Sequence, residues 1–145
     1  QLIVRPTKNR EEIRSILCHP DIFYAISGKQ KHDIETFEPP INDDFLYIGG
    51  YVKDKIICLL VYFNYRDGNQ CHINVLPDFR KKYAKKFGLE SLNFKGSGPL
   101  YTTIPDCYRH VLIYAKSFGF RVIGTIEDGY TSKDVTCNHN LLRLV

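Results

Sequence analysis

The sequence predicts an α+β fold in which a mixed, mostly antiparallel central sheet is flanked by helices. Three β-rich segments, FLYIGGYV, KIICLLVYFNY and QCHINVL, follow one another across short turns, which is typical of an antiparallel meander. The hydrophobic period then becomes that of an amphipathic helix, and a strand, another helix and two more strands follow. At 145 residues, we expect a single domain over residues 1–145 with one hydrophobic core.

The first two elements are a strand and a helix. LIVRP at residues 2–6 has the composition of a short strand, and Pro6 is expected to stop it. The stretch TKNREEIRSIL predicts a helix with Thr7 or Asn9 as its N-cap. The apolar stripe of this helix consists of Ile13, Ile16 and Leu17.

The next elements are a short helix and the meander. The helix is expected over residues 20–27, with Gly28 at its end, and a polar, proline-containing connection follows it. The turns KD and RDGN join the strands of the meander. These three strands are predicted at residues 45–52, 55–65 and 70–76.

Two helices and three strands complete the chain. One helix has Phe79, Tyr83 and Phe87 at four-residue intervals, with lysines on its other side, and GSGP ends it. After the strand PLYTTI, the stretch DCYRHVLIYAKSFGF predicts a helix with Asp106 as its cap and Gly119 as its stop. RVIGTI and TCNHNLLRLV are expected to close the sheet as an antiparallel pair across the loop EDGYTSKD.

Composition excludes several classes of protein. The chain is 43% hydrophobic and 25% charged, as globular domains are. No apolar run approaches the roughly 20 residues of a membrane span, so no membrane partner is expected. The five cysteines are scattered and odd in number, which favours free thiols in a reducing compartment and a cytoplasmic location. No metal site is expected, because CxxC and HxxxH pairs are absent from the sequence.

The stretch NVLPDFRKKYAKKFG places Arg80, Lys81 and Lys82 at a helix N-terminus, where the helix dipole disfavours cations. Two interpretations are open. Either the cations bind an anion together with the helix N-terminus, or Asp78 caps the helix and the lysines only solvate its outer face.

The element order, with the residues quoted above, resembles the GCN5-related N-acetyltransferase (GNAT) superfamily over essentially the whole chain. In that family, a Q/RxxGxG/A motif follows the fourth strand, and its backbone N–H groups receive the pyrophosphate of acetyl-CoA. Arg80 matches the first motif position, while Tyr83 and Lys85 stand where the two glycines belong. The resemblance implies acetyl-CoA as cofactor, held by Val75, Leu76, Arg80, Lys81, Lys82, Tyr83, Ala84 and Lys85.

The resemblance also implies a general acid. The last long helix of the family carries an asparagine, a tyrosine that acts as general acid, and a glycine-aromatic ending. Gly119 and Phe120 match that ending, but Ala115 stands at the tyrosine position. Tyr114 is therefore the nearest candidate acid, and the alternative is a core tyrosine that packs inward.

A candidate base lies on the strand QCHINVL. His72 and Asn74 are two residues apart and so share one face of the sheet. The ordinary pKa of histidine suits it to accept a proton from an amine. The alternative is that His72 is a hydrogen-bonded structural residue.

The segments VRPTKNREEIR, NVLPDFRKKYAKK and YAKSFGF are together similar to small GNAT-like proteins of tailed bacteriophages, some of them tied to head assembly or internal virion components. Three functions follow as hypotheses. The first is acetyl transfer from acetyl-CoA to an unknown amine. The second is a non-catalytic role with phage structural proteins, inside a virion or the host cytoplasm. The third is weak, non-specific binding of nucleic acid by the lysine stripe. Nucleic acid is the least expected of these partners.

Overall fold

One seven-stranded sheet runs through the chain, in the order β1-β2-β3-β4-β5-β7-β6. The computed structural model describes residues 1–27, 33–132 and 134–145. The strands are β1 (Leu2–Thr7), β2 (Phe45–Val52), β3 (Lys55–Tyr65), β4 (Gly68–Val75), β5 (Leu100–Pro105), β6 (Arg121–Ser132) and β7 (Val135–Leu144). The helices are α1 (Arg10–Leu17), α2 (Pro20–Ser27), α3 (Arg80–Ser91) and α4 (Arg109–Ser117). Neighbouring strands are antiparallel except β4 and β5, which confirms the predicted mixed, mostly antiparallel sheet.

Tight turns fix the register of the meander. Lys53 and Asp54 both have left-handed backbone, φ 50° and 63°, as a two-residue hairpin turn requires. The next turn contains only Arg66 and Asp67, so β4 begins at Gly68, two residues before the predicted start. Gly68 is required there, because a Cβ atom would lie 2.0 Å from the carbonyl oxygen of Pro99.

The first helix and strand largely follow the prediction. The side chain of Asn9 accepts a hydrogen bond from the N–H of Glu12 and caps α1. The apolar residues of α1 are buried as expected. Pro6 does not stop β1, which continues to Thr7, because β1 is an edge strand and an edge position tolerates a missing N–H donor. Gly28, the expected end of α2, lies outside the described residues.

The helices cover the two faces of the sheet in pairs. On one face, Ile13 and Ile22 of α1 and α2 pack with Leu59 of β3. On the other face, Phe87 of α3 and Ala115 of α4 pack in one cluster with residues of β3, β4 and β7. Among the described residues, no helix combines the length and the apolar character needed to span a membrane.

The last third of the chain corrects two predictions. Tyr108, and not Asp106, is the N-cap of α4, because the carboxylate of Asp106 instead accepts a hydrogen bond from the side chain of Asn140. The closing hairpin is longer than expected, since β6 continues through the predicted loop EDGYTSKD as far as Ser132, and β7 begins at Val135, directly after that loop. Gly119 follows α4 with φ 103°, which confirms it as the helix stop.

Candidate active site

An opening separates β4 from β5 at their carboxyl ends. These parallel strands pair only at Asn69 with Leu100 and at Gln70 with Tyr101. Beyond that point, β4 stays paired with β3 and β5 stays paired with β7. Each strand follows its other neighbour, and the two therefore diverge.

The edge of β4 that lines this opening presents backbone groups that pair with no described strand. In an antiparallel pair, the N–H and C=O of one residue point to the same side. The N–H of Leu76 donates to Ile57 of β3, 3.0 Å away, so the groups of Val75 and Ile73 point toward β5. Neither residue has a strand partner on that side among the described residues. The opening is therefore lined by strand-edge donors and acceptors.

The predicted cofactor residues around α3 lie beside this opening. A 3-10 turn, Pro77–Phe79, precedes α3, and the N–H groups of Phe79 and Arg80 donate to the carbonyls of Leu76 and Pro77. The Arg80 Nε also donates to the Val75 carbonyl at 3.0 Å. Arg80 thus joins the start of α3 to the end of β4, and its terminal guanidinium nitrogens bond to no acceptor in the described part of the chain.

The cations at the start of α3 form no ion pair with a described residue. Asp78 is exposed and makes no cap hydrogen bond, so the interpretation of Asp78 as the cap is wrong, and Phe79 occupies that position. Lys81 and Lys82 are exposed, and the Lys82 Nζ lies 5.4 Å from the Tyr83 ring centroid. Among the described residues, no carboxylate lies within 4.0 Å of Arg80, Lys81 or Lys82.

The two side chains at the glycine positions are held by contacts of their own. Tyr83 is half-buried and packs against the core, with its ring 6.3 Å from that of Phe79. The Lys85 ammonium donates to Ser117 Oγ at 3.0 Å and lies 4.4 Å from the Phe118 ring centroid. Lys85 is thus directed to α4 and away from the first turn of α3.

Tyr114 links the two helices on its face of the sheet. Its hydroxyl donates to the Ala84 carbonyl at 2.6 Å, and its ring packs edge-to-face on Phe118. Burial raises the pKa of Tyr114 well above its ordinary value. These contacts favour the core interpretation, because the hydroxyl proton is already used in a hydrogen bond.

His72 lies on the opposite face from Tyr114. It pairs with Val61, whose side chain packs on the α1 side, and its ring stacks on Phe63 with centroids 5.9 Å apart. The His72 Nε2 is 3.0 Å from the amide nitrogen of Gln70. When that amide donates, the His72 proton is on Nδ1; when the amide is rotated, Nδ1 carries the free lone pair. Burial, with a smaller effect of nearby His139, lowers the pKa of His72 to about 4, so the ring is neutral at pH 7.

Three residues around the end of β5 were not predicted as site residues, and of these His139 is the one whose charge reaches His72. His139 lies on β7 opposite Pro105, its ring 5.7 Å from that of Tyr130, and burial lowers its pKa. The hydroxyls of Tyr108 and Tyr130 are 3.1 Å apart, and Tyr130 donates to the Ala25 carbonyl at 2.7 Å. These residues come together because β7 lies between β5 and β6 in the sheet. The sequence pattern does not show this strand order, so it could not identify them.

The structure is similar to solved structures of N-acetyltransferases. No family model and no curated protein matches the sequence. The solved structure of spermidine N-acetyltransferase from Vibrio cholerae in complex with CoA and spermine aligns with a TM-score of 0.81 at 12% identity, over 99% of this chain and 95% of that one. The yncA protein of Salmonella typhimurium, solved with its cofactor acetyl-CoA, gives 0.78 at 13% identity, over 99% and 93%. A GNAT-family acetyltransferase from Streptococcus pneumoniae gives 0.71 at 11% identity, over 99% of both chains.

The chain has the GNAT fold. At such low identity, the similarity establishes the fold alone. The narrower resemblance to phage proteins gains no support from these three structures and stays a hypothesis.

A separate groove lies at the far end of β4 from the GNAT-fold opening. It has a volume of about 270 Å³. Its lining includes Asp44, Leu46, Phe63, Asn69 and Phe94. Asn69 belongs to the paired start of β4, so this groove and the opening are distinct places.

Proposed function

We propose that this chain is an acyl-CoA-dependent N-acyltransferase that transfers an acetyl group from acetyl-CoA to an amine. The observation that carries the proposal is the opening between β4 and β5, which has free strand-edge groups and unbalanced cations at one end. The GNAT fold supports it, since related folds have been solved with CoA and with acetyl-CoA. The amine acceptor is proposed by chemical class only.

The proposed acetyl-CoA site uses two kinds of contact. The amide groups of the pantetheine arm would pair with the edge of β4 at the backbone groups of Ile73 and at the N–H of Val75, as an added strand does, since the Val75 carbonyl already accepts from Arg80. The pyrophosphate would be held by Lys81, by Lys82 and by the free guanidinium nitrogens of Arg80, which are charge-assisted donors. Binding an anion there would also relieve the unfavourable position of these cations at a helix N-terminus.

The proposed chemistry relies on positioning more than on strong acid–base catalysis. The thioester supplies the acetyl group: the C–N bond to the amine forms, the C–S bond breaks, and the thiolate leaves. His72 is neutral at pH 7 and accepts the amine proton directly or through a water molecule, but a pKa of about 4 makes it a weak base. Tyr114 stays hydrogen-bonded to Ala84, so the thiolate takes its proton from solvent.

Calorimetric titration with acetyl-CoA tests the proposal. We expect saturable binding by the unaltered chain and a roughly tenfold weaker affinity for the double variant Lys81→Gln/Lys82→Gln, because two phosphate contacts are lost. Lys8→Gln/Lys95→Gln is the matched control, because it removes the same charge at the end of the sheet where β4 and β5 are paired. This control should change the affinity less than about twofold. No heat of binding at millimolar acetyl-CoA would sink the proposal.

The second candidate is a non-catalytic GNAT-fold protein of the kind that tailed phages encode, which acts in a virion through protein contacts. The observation that favours it is that Tyr83 and Lys85 replace the two motif glycines while the Tyr114 hydroxyl is used for packing. The protein would then co-purify with particles or assembly intermediates and bind no acetyl-CoA. Its absence from both fractions would count against this candidate.

A further inference from the structure

Cys107 and Cys137 face each other just beyond the end of β5. Their Sγ atoms are 2.8 Å apart. The β5–β7 register ends with Pro105 opposite His139, and the Asp106 N–H extends it by donating to the Asn138 carbonyl at 2.9 Å. One further step along both chains places Cys107 directly opposite Cys137. The ladder geometry and the sulfur distance therefore agree.

We propose that Cys107 and Cys137 form a reversible disulfide by exchange with a small disulfide such as oxidised glutathione. Directly opposed residues of an antiparallel pair have Cβ atoms about 4.5–5.5 Å apart, and a disulfide needs about 3.5–4.5 Å, so only a small adjustment is required. Cys107 is exposed and Cys137 is partly exposed, so both can be reached from solvent. In the described part of the chain, no cluster of three metal-ligating side chains includes this pair, which favours a disulfide over a metal site.

The exchange has two steps, and the contacts of the two sulfur atoms assign which cysteine attacks in each. The backbone N–H of Cys107 donates to the Cys137 Sγ at 3.2 Å, a contact that Cys137 keeps when its sulfur makes the first attack. Desolvation of its sulfur and the neighbouring Cys137 raise the pKa of Cys107 to about 11, which assigns Cys107 to the second step. The Cys137 thiolate bonds to one sulfur of oxidised glutathione and expels one glutathione thiolate. Cys107 then loses its proton, attacks the Cys137 sulfur and expels the second, so two protein thiols are oxidised while one glutathione disulfide is reduced to two thiols.

The other cysteines cannot substitute for this pair. Cys58 and Cys71 are buried, and burial raises the pKa of each thiol to about 12. Cys18 lies at the end of α1, on the face of the sheet that α1 covers. The chain therefore has one exposed, paired site among its described cysteines.

The disulfide would fasten the β5–α4 connection to β7. It joins residues 30 positions apart, and closing a loop of that length in the unfolded chain raises the melting temperature by roughly 5–10 °C. The contact between Asp106 and Asn140 lies beside it, as does the pair Tyr108 and Tyr130. Oxidation would thus stiffen the β5 side of the opening.

Intact-mass spectrometry after alkylation tests this inference. The folded protein is equilibrated with oxidised glutathione, unfolded and alkylated: we expect three labels, against five for the reduced protein, and a crosslinked peptide that joins Cys107 to Cys137. The oxidised form should also melt several degrees higher than the reduced form. Cys18→Ser should keep this difference in melting temperature, whereas Cys107→Ser and Cys137→Ser should each abolish it.

Two outcomes would overturn the inference. One is that all five thiols are still labelled after equilibration with oxidised glutathione. The other is a stable mixed disulfide with glutathione on Cys137, or a crosslink between other cysteines, in the unaltered chain.

Discussion

His72 is the residue whose environment most constrains any chemistry of this chain. It stacks on Phe63 and contacts Gln70, and burial keeps its ring neutral. The amide orientation of Gln70 decides whether a lone pair of the ring is free: Nδ1 has one only when the Gln70 amide is rotated so that its oxygen faces Nε2. A neutral, oriented imidazole can accept a hydrogen bond from an amine and then take its proton, but the low pKa makes His72 a weak base for that step.

Stability should depend on pH through His72. Burial lowers the pKa of His72 from 6.5 to about 4, so the folded state resists a proton that the unfolded chain accepts. The stabilisation is complete above pH 6.5 and is lost as the pH falls toward 4, by at most about 3 kcal/mol. Urea unfolding of the unaltered chain and of His72→Gln between pH 7.5 and 4 should show a shallower decline for the variant.

The control for this experiment is His110→Gln, because His110 is exposed on α4. It should keep the pH dependence of the unaltered chain. His139 contributes to the same decline, since its pKa is also lowered, and it does so in every variant. An identical decline in His72→Gln and the unaltered chain would show that His72 is not buried as described.

At the scale of elements, α3 and α4 meet at Gly88. A Cβ atom on Gly88 would lie 2.3 Å from Phe118 Cζ and 2.6 Å from the Tyr114 hydroxyl. The hydrogen bonds from Tyr114 to Ala84 and from Lys85 to Ser117 cross the same contact. The absence of a side chain at Gly88 therefore sets the distance between the two helices.

Gly88→Ala should destabilise the fold although alanine favours helix. The overpacking costs about 1–3 kcal/mol, and the gain in helix propensity of about 1 kcal/mol offsets only part of it. The free energy of unfolding from urea titration should thus fall by up to about 2 kcal/mol. Gly96→Ala is the control, because nothing lies within 4 Å of a Cβ there. Equal stability of the two variants would contradict the close helix contact.

The elements themselves were predictable because their signals are local. The turn residues Lys53 and Asp54, the cap at Asn9 and the stop at Gly119 each act within a few positions of the chain. The cap at Asp106 was wrong because a residue 34 positions away, Asn140, binds its carboxylate. Local patterns contain no information on such partners.

The site was less predictable than the elements because it depends on strand order. The hairpin of β6 and β7 was expected, but β7 lies between β5 and β6, and this order brings His139 near His72 and Cys137 opposite Cys107. The cations of α3 are visible in the sequence. The hydrogen bond from Arg80 to the Val75 carbonyl is not, because it depends on how α3 is placed against the end of β4.

At the scale of the whole molecule, the sheet is continuous at one end and divided at the other. The divergence of β4 and β5 places free strand edge, a helix N-terminus and three cations around one opening. The groove near Asp44 and Phe94 lies at the continuous end. Under the proposed function, acetyl-CoA binds at the divided end of the sheet, between β4 and β5.

Amide NMR spectra recorded during titration with acetyl-CoA test this location of the acetyl-CoA site most directly. We predict shift changes concentrated at Ile73 and Val75 of β4, at Lys81 and Lys82 of α3, and at the carboxyl end of β5. The amide of Asn69, at the continuous end, should not move. Unchanged spectra at millimolar acetyl-CoA, or changes confined to the groove near Asp44 and Phe94, would contradict an acetyl-CoA site in the opening between β4 and β5.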